Sequence, residues 1–257
     1  MLKIPISIAI LLLTISSVYA ETYKDCINQG LSYFKQNNYS DAIKEYTKAI
    51  QINPNKATAY NDRGYAYYYQ KNFTRAISDY TKAIKIYPKY VTAYFNRGNL
   101  YEKQGKFSQA IADYTKAIEI DPGNGYYDRG IAYYDKKDYV QAISDFTIAV
   151  KINPKDAESY NDRGRANFKL DNNVQAISDF SKAIEINPKL AQAYNNRGLT
   201  YYFEKQYDKA WDDVTKAEKL GDTVDSAFTK KLINKSWNIL VKTKTEKNLG
   251  DKNGFRI

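Results

Sequence analysis

The 257-residue chain has no histidine, one cysteine and one methionine. Without histidine it lacks the commonest general base and the commonest metal ligand. A nucleophile–His–carboxylate triad is excluded outright. Cys26 stands alone, which rules out an intramolecular disulfide and a thiolate zinc site. It occupies a helical position that other parts of the chain fill with large apolar residues, so it reads as a buried small hydrophobe, with a reactive thiol as the alternative. The glycines are scattered singly, which leaves no Gly-rich phosphate loop. These absences point to a chain without a catalytic constellation, cofactor or metal, and we expect no enzyme activity.

The first twenty residues differ from the rest. Lys3 gives a short positive start, Ile8 to Ile15 is apolar apart from Thr14, and Val18-Tyr19-Ala20 ends with small residues at −3 and −1. This is the layout of a signal peptide cleaved after Ala20, and it predicts an exported protein, periplasmic or secreted. The apolar core is short for a membrane span, which needs about 20 residues. Contact with a membrane through this segment is therefore expected only if it stays uncleaved.

The net charge of +10 is concentrated at the other end, where residues 223–257 carry eight basic side chains against three acidic ones. Such a tail can touch an anionic surface weakly, or be a solvated terminus. Export argues against a nucleic-acid partner. Asn38, Asn72 and Asn234 match the glycosylation pattern, but an asparagine-rich chain produces such matches by chance.

Between these ends the chain repeats itself. Gly30, Gly64, Gly98, Gly130, Gly164 and Gly198 recur at intervals of 34 residues with a single interval of 32. A fixed period of this length marks one small unit copied head to tail. In residues 57–90, Tyr60, Gly64 and Tyr67 fall on one face of a first helix, and Phe73, Ala76, Ile77, Tyr80, Ala83 and Ile84 on one face of a second. Pro88 closes the unit. Glycine inside a helix costs about 1 kcal/mol relative to alanine. Its recurrence implies that the missing side chain is needed, and Ala76 at the matching place in the second helix suggests two small residues facing each other.

This pattern resembles the tetratricopeptide repeat (TPR). The family's characteristic places read here Tyr60, Arg63, Gly64, Tyr67, Ala76, Tyr80, Ala83 and Pro88. The resemblance implies an all-α, right-handed superhelical α-solenoid of helix–turn–helix repeats, with first helices lining the concave face. The expected organisation is a signal peptide at 1–20 and six repeats across 21–222, at 23–56, 57–90, 91–122, 123–156, 157–190 and 191–222. A C-terminal capping helix at 223–242, amphipathic through Val224, Phe228, Leu232, Ile233, Trp237, Leu240 and Val241, and a basic disordered tail at 243–257 complete it.

One departure from the family is systematic. Where it usually has leucine, this chain has Arg63, Arg97, Arg129, Arg163 and Arg197. Sixteen residues later stand Asp79, Asp113, Asp145, Asp179 and Asp213, while the first unit has Gln29 and Glu45. The correspondence predicts Arg–Asp pairs between the two helices of each unit, because partly buried arginine needs a carboxylate. Two units are irregular. The link 121–125 is two residues short, so the fourth unit's first helix should start late. The fifth unit has Asn167 and Asn173 where other copies have aromatic residues, which predicts the softest unit.

The expected binding positions lie on the lining face of the first helices, read as exposed: Asn61, Asp62, Tyr65 and Tyr68; Phe95, Asn96 and Asn99; Tyr127, Asp128 and Tyr134; Asn161, Asp162, Arg165 and Phe168; Asn195, Asn196 and Tyr202. Tyrosine and asparagine together offer rigid aromatic area and adaptable hydrogen bonding. The rings can serve as ligand anchors or pack against the neighbouring helix. The family's carboxylate clamp implies lysine at the place held by Ile27, Asn61, Phe95, Tyr127, Asn161 and Asn195, so chaperone-tail binding is not expected. Two readings of function remain: an exported, non-catalytic scaffold binding an extended protein or peptide segment, or a carbohydrate or cell-wall binding repeat protein.

Overall fold

The computed structural model describes residues 22–225 and 227–235. All regular structure among them is helical. Helix α1 covers 22–35. It is followed by α2 (Tyr39–Ile52), α3 (Ala57–Tyr69), α4 (Phe73–Ile86), α5 (Val91–Lys103), α6 (Phe107–Ile120), α7 (Tyr126–Asp135), α8 (Tyr139–Ile152), α9 (Ala157–Lys169), α10 (Asn173–Ile186), α11 (Ala191–Phe203) and α12 (Tyr207–Lys219). Helix α13 covers 227–235. The fold is an all-α solenoid of consecutive helical hairpins. The chain divides into two compact units, Met1–Ala132 and Tyr133–Ile257.

In the first unit α3 packs on α4 and α5 on α6, while α2–α3 and α4–α5 join one hairpin to the next. In the second, α9 pairs with α10 and α11 with α12, and α10 contacts α11. The turn inside each hairpin is tight and left-handed. Asn37, Lys71, Lys137, Asp171 and Lys205 take positive φ there, as does Gly105. Lys71 N–H donates to Tyr68 O at 2.8 Å and Asn72 N–H to Tyr67 O at 2.9 Å, closing the helix end. Asn38, Asn72 and Asp138 then cap the following helices through their side chains.

The recurring alanines Ala42, Ala76, Ala110, Ala142, Ala176 and Ala210 are all fully buried. At Gly30, Gly64, Gly98 and Gly164 the nearest atoms are those of an aromatic ring rather than of these alanines. A Cβ at Gly64 would lie 2.8 Å from Tyr80 Cε1, one at Gly98 2.8 Å from Tyr114 Cε1, and one at Gly164 2.7 Å from Phe180 Cε1. Each glycine makes room for the edge of an aromatic ring from the partner helix. At Gly198 the ring is replaced by Val214 Cγ2 at 3.1 Å, with the Ala210 backbone oxygen at 3.2 Å.

Helix α7 starts late, as its shortened link implies. It opens four residues before Gly130, whereas α3 opens seven before Gly64. Asp121 holds the link by accepting from Gly123 N–H at 3.1 Å and Asn124 Nδ2 at 2.9 Å. Gly125 follows at φ +97°, against the ring of Phe95. A side chain there would meet both a strained backbone and that ring.

Leu232 of α13 is fully buried in a cluster with Ala210 and Val214, against which Val224 and Phe228 pack. Helix α13 falls within the stretch 223–242 expected to form the cap, and Trp237, Leu240 and Val241 lie outside the described residues. Cys26 is half-buried against the Ala59–Tyr60 cluster, and burial raises its thiol pKa.

Candidate functional site

The arginines are held on three sides. Arg63 donates to Asp79 through Nε and Nη2, both at 2.8 Å, and Arg97 chelates Asp113 in the same way. Arg163–Asp179 and Arg197–Asp213 repeat the geometry in the second unit. The carboxylate partners raise the pKa of Arg63, Arg97 and Arg197. Tyrosine rings flank the guanidinium: Tyr60 and Tyr67 stand 5.8 and 6.0 Å from Arg63, and Tyr94 and Tyr101 both 5.9 Å from Arg97. The remaining nitrogen was not anticipated. Nη1 reaches back to a hydroxyl on the second helix of the preceding hairpin: Thr47 from Arg63, Thr81 from Arg97, Thr115 from Arg129, Thr147 from Arg163 and Ser181 from Arg197. One side chain therefore closes a hairpin and ties it to its neighbour. The signal was present as a hydroxyl residue sixteen places before four of these arginines and fourteen before Arg129.

The fifth hairpin compensates for a lost ring. Arg163 has Tyr160 on one side, 5.3 Å away, and no tyrosine at position 167. Asn167 is buried there and donates Nδ2 to Asp179 Oδ2 at 3.1 Å. A hydrogen bond thus stands in for aromatic packing.

The lining face of the first helices is less open than the sequence suggested. Asn61, Asn161 and Asp162 are buried, with 6%, 4% and 5% exposure. They are enclosed by a polar chain running between neighbouring first helices. Asn96 Nδ2 donates to Asn61 Oδ1 at 2.9 Å, and Asn61 Nδ2 to Asp62 Oδ1 at 3.3 Å. The second unit repeats this through Asn196, Asn161 and Asp162, and adds Arg165, whose Nη1 lies 2.8 Å from Asp162 Oδ1. Asp62, Asp128, Tyr127 and Asn195 are half-buried. Burial raises the carboxyl pKa of Asp62 and of Asp128.

Apart from the exposed Tyr65, the predicted rings are half-buried, and several pack in pairs. Phe95 contacts Tyr114 at 6.0 Å, Phe168 contacts Phe203 at 5.5 Å, and Tyr202 packs on Phe228 at 5.2 Å. Tyr134 lies under the guanidinium of Arg165 at 4.5 Å. Tyr68 belongs to a larger group. It stacks on Tyr65 at 6.4 Å and touches Tyr69 and Phe73, while Phe34 and Tyr39 close the other side of Tyr65 and Tyr69.

Two recesses adjoin this group. One, of about 220 Å³, is lined by Tyr65, Tyr68, Tyr69, Tyr80, Asn96 and Asn99. The other, of about 440 Å³, is lined by Tyr68, Tyr69, Lys71, Phe73 and Lys103. They share Tyr68 and Tyr69. In the smaller recess Asn99 Oδ1 and Glu102 Oε2 share the Tyr114 hydroxyl proton, at 2.6 and 2.9 Å, and the Asn99 amide N–H groups are unused among the described residues. Asn96 spends its Nδ2 on Asn61, and its Oδ1 has no donor among the described residues. Tyr65 and Tyr69 share a hydrogen bond at 3.2 Å, and this bond, with burial, pushes the Tyr65 hydroxyl up to about 12.

Family models for the tetratricopeptide repeat match residues 91–124 and 123–156, and again 191–220, while a TPR repeat model matches 30–71, 64–105 and 172–202. The chain belongs to the tetratricopeptide repeat family. Among solved structures it is similar to YrrB, described as a TPR protein with an unusual peptide-binding site, at 26% identity over 68% of this chain and 92% of that one, with a TM-score of 0.60. It is similar also to MamA, at 27% identity over 64% and 91%, with a TM-score of 0.61. PilF of Pseudomonas aeruginosa, at 17% identity over 79% and 93%, shares the fold with a TM-score of 0.65. Comparison with curated proteins finds no match.

Within this TPR chain, Tyr65, Tyr68, Asn96 and Asn99 are brought to one recess. The second unit's Asp162, Arg165 and Tyr134 form an internal ion pair and cation–π contact instead. Lys71 and Phe73 were absent from the sequence-based site. Lys103 was absent as well. Comparing it with Tyr69, thirty-four residues earlier, would have flagged it.

Proposed function

We propose that this TPR protein is a non-catalytic scaffold that takes an extended peptide segment along the first-helix face of its Met1–Ala132 unit. The observation that carries this is the small recess, where an open amide carbonyl on Asn96 and open amide N–H groups on Asn99 stand beside tyrosine rings. A peptide backbone presents the complementary N–H and C=O, and the rings supply area for its side chains. The peptide-binding site of YrrB supports the same reading. We further propose export, on the strength of Lys3, the apolar stretch 8–15 and Val18-Tyr19-Ala20, with Glu21 as the first mature residue.

The test is binding by the mature chain to displayed peptides and, in parallel, to immobilised glycan polymers. Peptide ligands whose capture is weakened at least about tenfold by Asn99→Ala with Tyr65→Ala support the proposal, tenfold corresponding to about 1.4 kcal/mol. Retention on glycans alone replaces it with a carbohydrate-binding function. N-terminal sequencing of native material checks export, and a chain beginning at Met1 in the cytosolic fraction refutes it.

A further inference from the structure

At the turn end of three hairpins the next element lays a ring over the aromatic residues. Phe34 and Tyr39 are covered by Tyr69, each at 5.3 Å. Phe168 is covered by Phe203, and Tyr202 with Tyr207 by Phe228 of α13. Tyr68 and Phe73 have no such ring, because the residue at the place of Tyr69 is Lys103. Its ammonium stands 5.2 Å from the Tyr68 ring centre and 5.7 Å from that of Phe73, and 3.4 Å from the Tyr68 hydroxyl. A slim aliphatic chain covers less area than a ring, and the larger recess opens here.

Lys71 lines the same recess from the left-handed turn before α4. Both lysines are exposed, and among the described residues neither forms an ion pair with a carboxylate. The recess thus has an aromatic floor, two cationic rims and tyrosine hydroxyl groups. It shares a wall with the recess whose amides are open to a peptide backbone.

We infer that the Tyr68–Phe73–Lys71–Lys103 recess receives an acidic side chain, so that the ligand is an extended peptide with Asp or Glu next to the segment held by Asn96 and Asn99. This rests on the peptide-scaffold reading above. The charges are complementary, and a carboxylate takes charge-assisted hydrogen bonds from both ammonium groups and a tyrosine hydroxyl. Its methylene stem lies on the rings.

The test is selection from a random-peptide display library against the full mature chain and its K71E/K103E variant, followed by titration of synthetic winners with Glu, Gln or Lys at the acidic position. The expected result is enrichment of Asp and Glu against the wild type and of Lys and Arg against the variant. Glu→Gln in the peptide should weaken binding about tenfold, the scale of one charge-assisted contact. K103M keeps the stem over the rings, so its far-UV circular dichroism and melting should match the wild type while the Glu preference drops. Winners without acidic enrichment, or with a Glu preference unchanged in folded K103M, overturn the acidic recess and leave the peptide scaffold standing. A library that yields no ligand overturns both. Tighter Lys103-dependent binding to an oligouridylate or to phosphatidylserine vesicles also overturns the inference.

Discussion

Arg97 Nη1 lies 2.9 Å from Thr81 Oγ1, across the junction between one hairpin and the next, while the same guanidinium chelates Asp113 within its own hairpin. Leucine, usual at this place in the family, can close a hairpin by packing but cannot make this directional link. Arginine does so at the cost of burying a charge, which the Asp113 carboxylate and the rings of Tyr94 and Tyr101 offset.

Breaking this pair should be expensive. Asp113→Ala leaves Arg97 partly buried without its counter-ion, and a loss of about 3–5 kcal/mol in urea unfolding is expected. Arg97→Leu with Asp113→Leu together should cost clearly less than the sum of the single changes, because neither partner is then orphaned. Thr81→Val should cost about 0.5–1.5 kcal/mol, as expected for a solvent-exposed hydrogen bond. Hydrogen exchange should place its loss at the α4–α5 junction.

Gly98→Ala opposes two effects. Alanine raises helix propensity by about 1 kcal/mol. The new Cβ falls 2.8 Å from Tyr114 Cε1, inside a ring that is 1% exposed. Overpacking of this kind costs about 1–3 kcal/mol, so net destabilisation is expected. Adding Tyr114→Leu should recover part of it, measured as a shift in the urea midpoint; no recovery would show that the ring is not the obstacle.

Leu232→Ala tests the cap. Leu232 is fully buried against Ala210 and Val214, and truncation should cost about 2–5 kcal/mol. In a repeat array the loss should be local. Amide exchange should rise across α11 and α12 while α9 and α10 stay protected.

Asp62 gives a pH signature. Burial raises its folded-state pKa above the ordinary carboxyl value, so between the two values the folded chain binds more protons than the unfolded one. Its contribution to stability therefore falls as pH rises through that window. Asp62→Asn should remove this fall, and the mutant's advantage in urea should be larger at pH 7 than at pH 3. An equal effect at both values would show that charge burial at Asp62 is not the cause.

The period, the helical hairpins and the Arg–Asp pairs were legible in the residues alone. A repeated local pattern needs no knowledge of distant contacts, and six near-copies reinforce every assignment. The late start of α7 was legible for the same reason, since a two-residue deletion stands out against regular copies. What faces each glycine was not. Pattern places Ala76 and Tyr80 on one helix face with Ile77, but only the packed hairpin shows that the Tyr80 ring takes the space at Gly64. Nor could sequence separate open from closed lining positions. Asn61 and Asn161 are polar residues on an expected solvent face, and the amides of Asn96 and Asn196 on the next helix bury them. The recess at Lys103 follows the same rule. The residue type is written in the sequence, but the gap exists because a neighbouring helix presents a narrow side chain where Tyr69 and Phe203 place rings over the first and fifth hairpins.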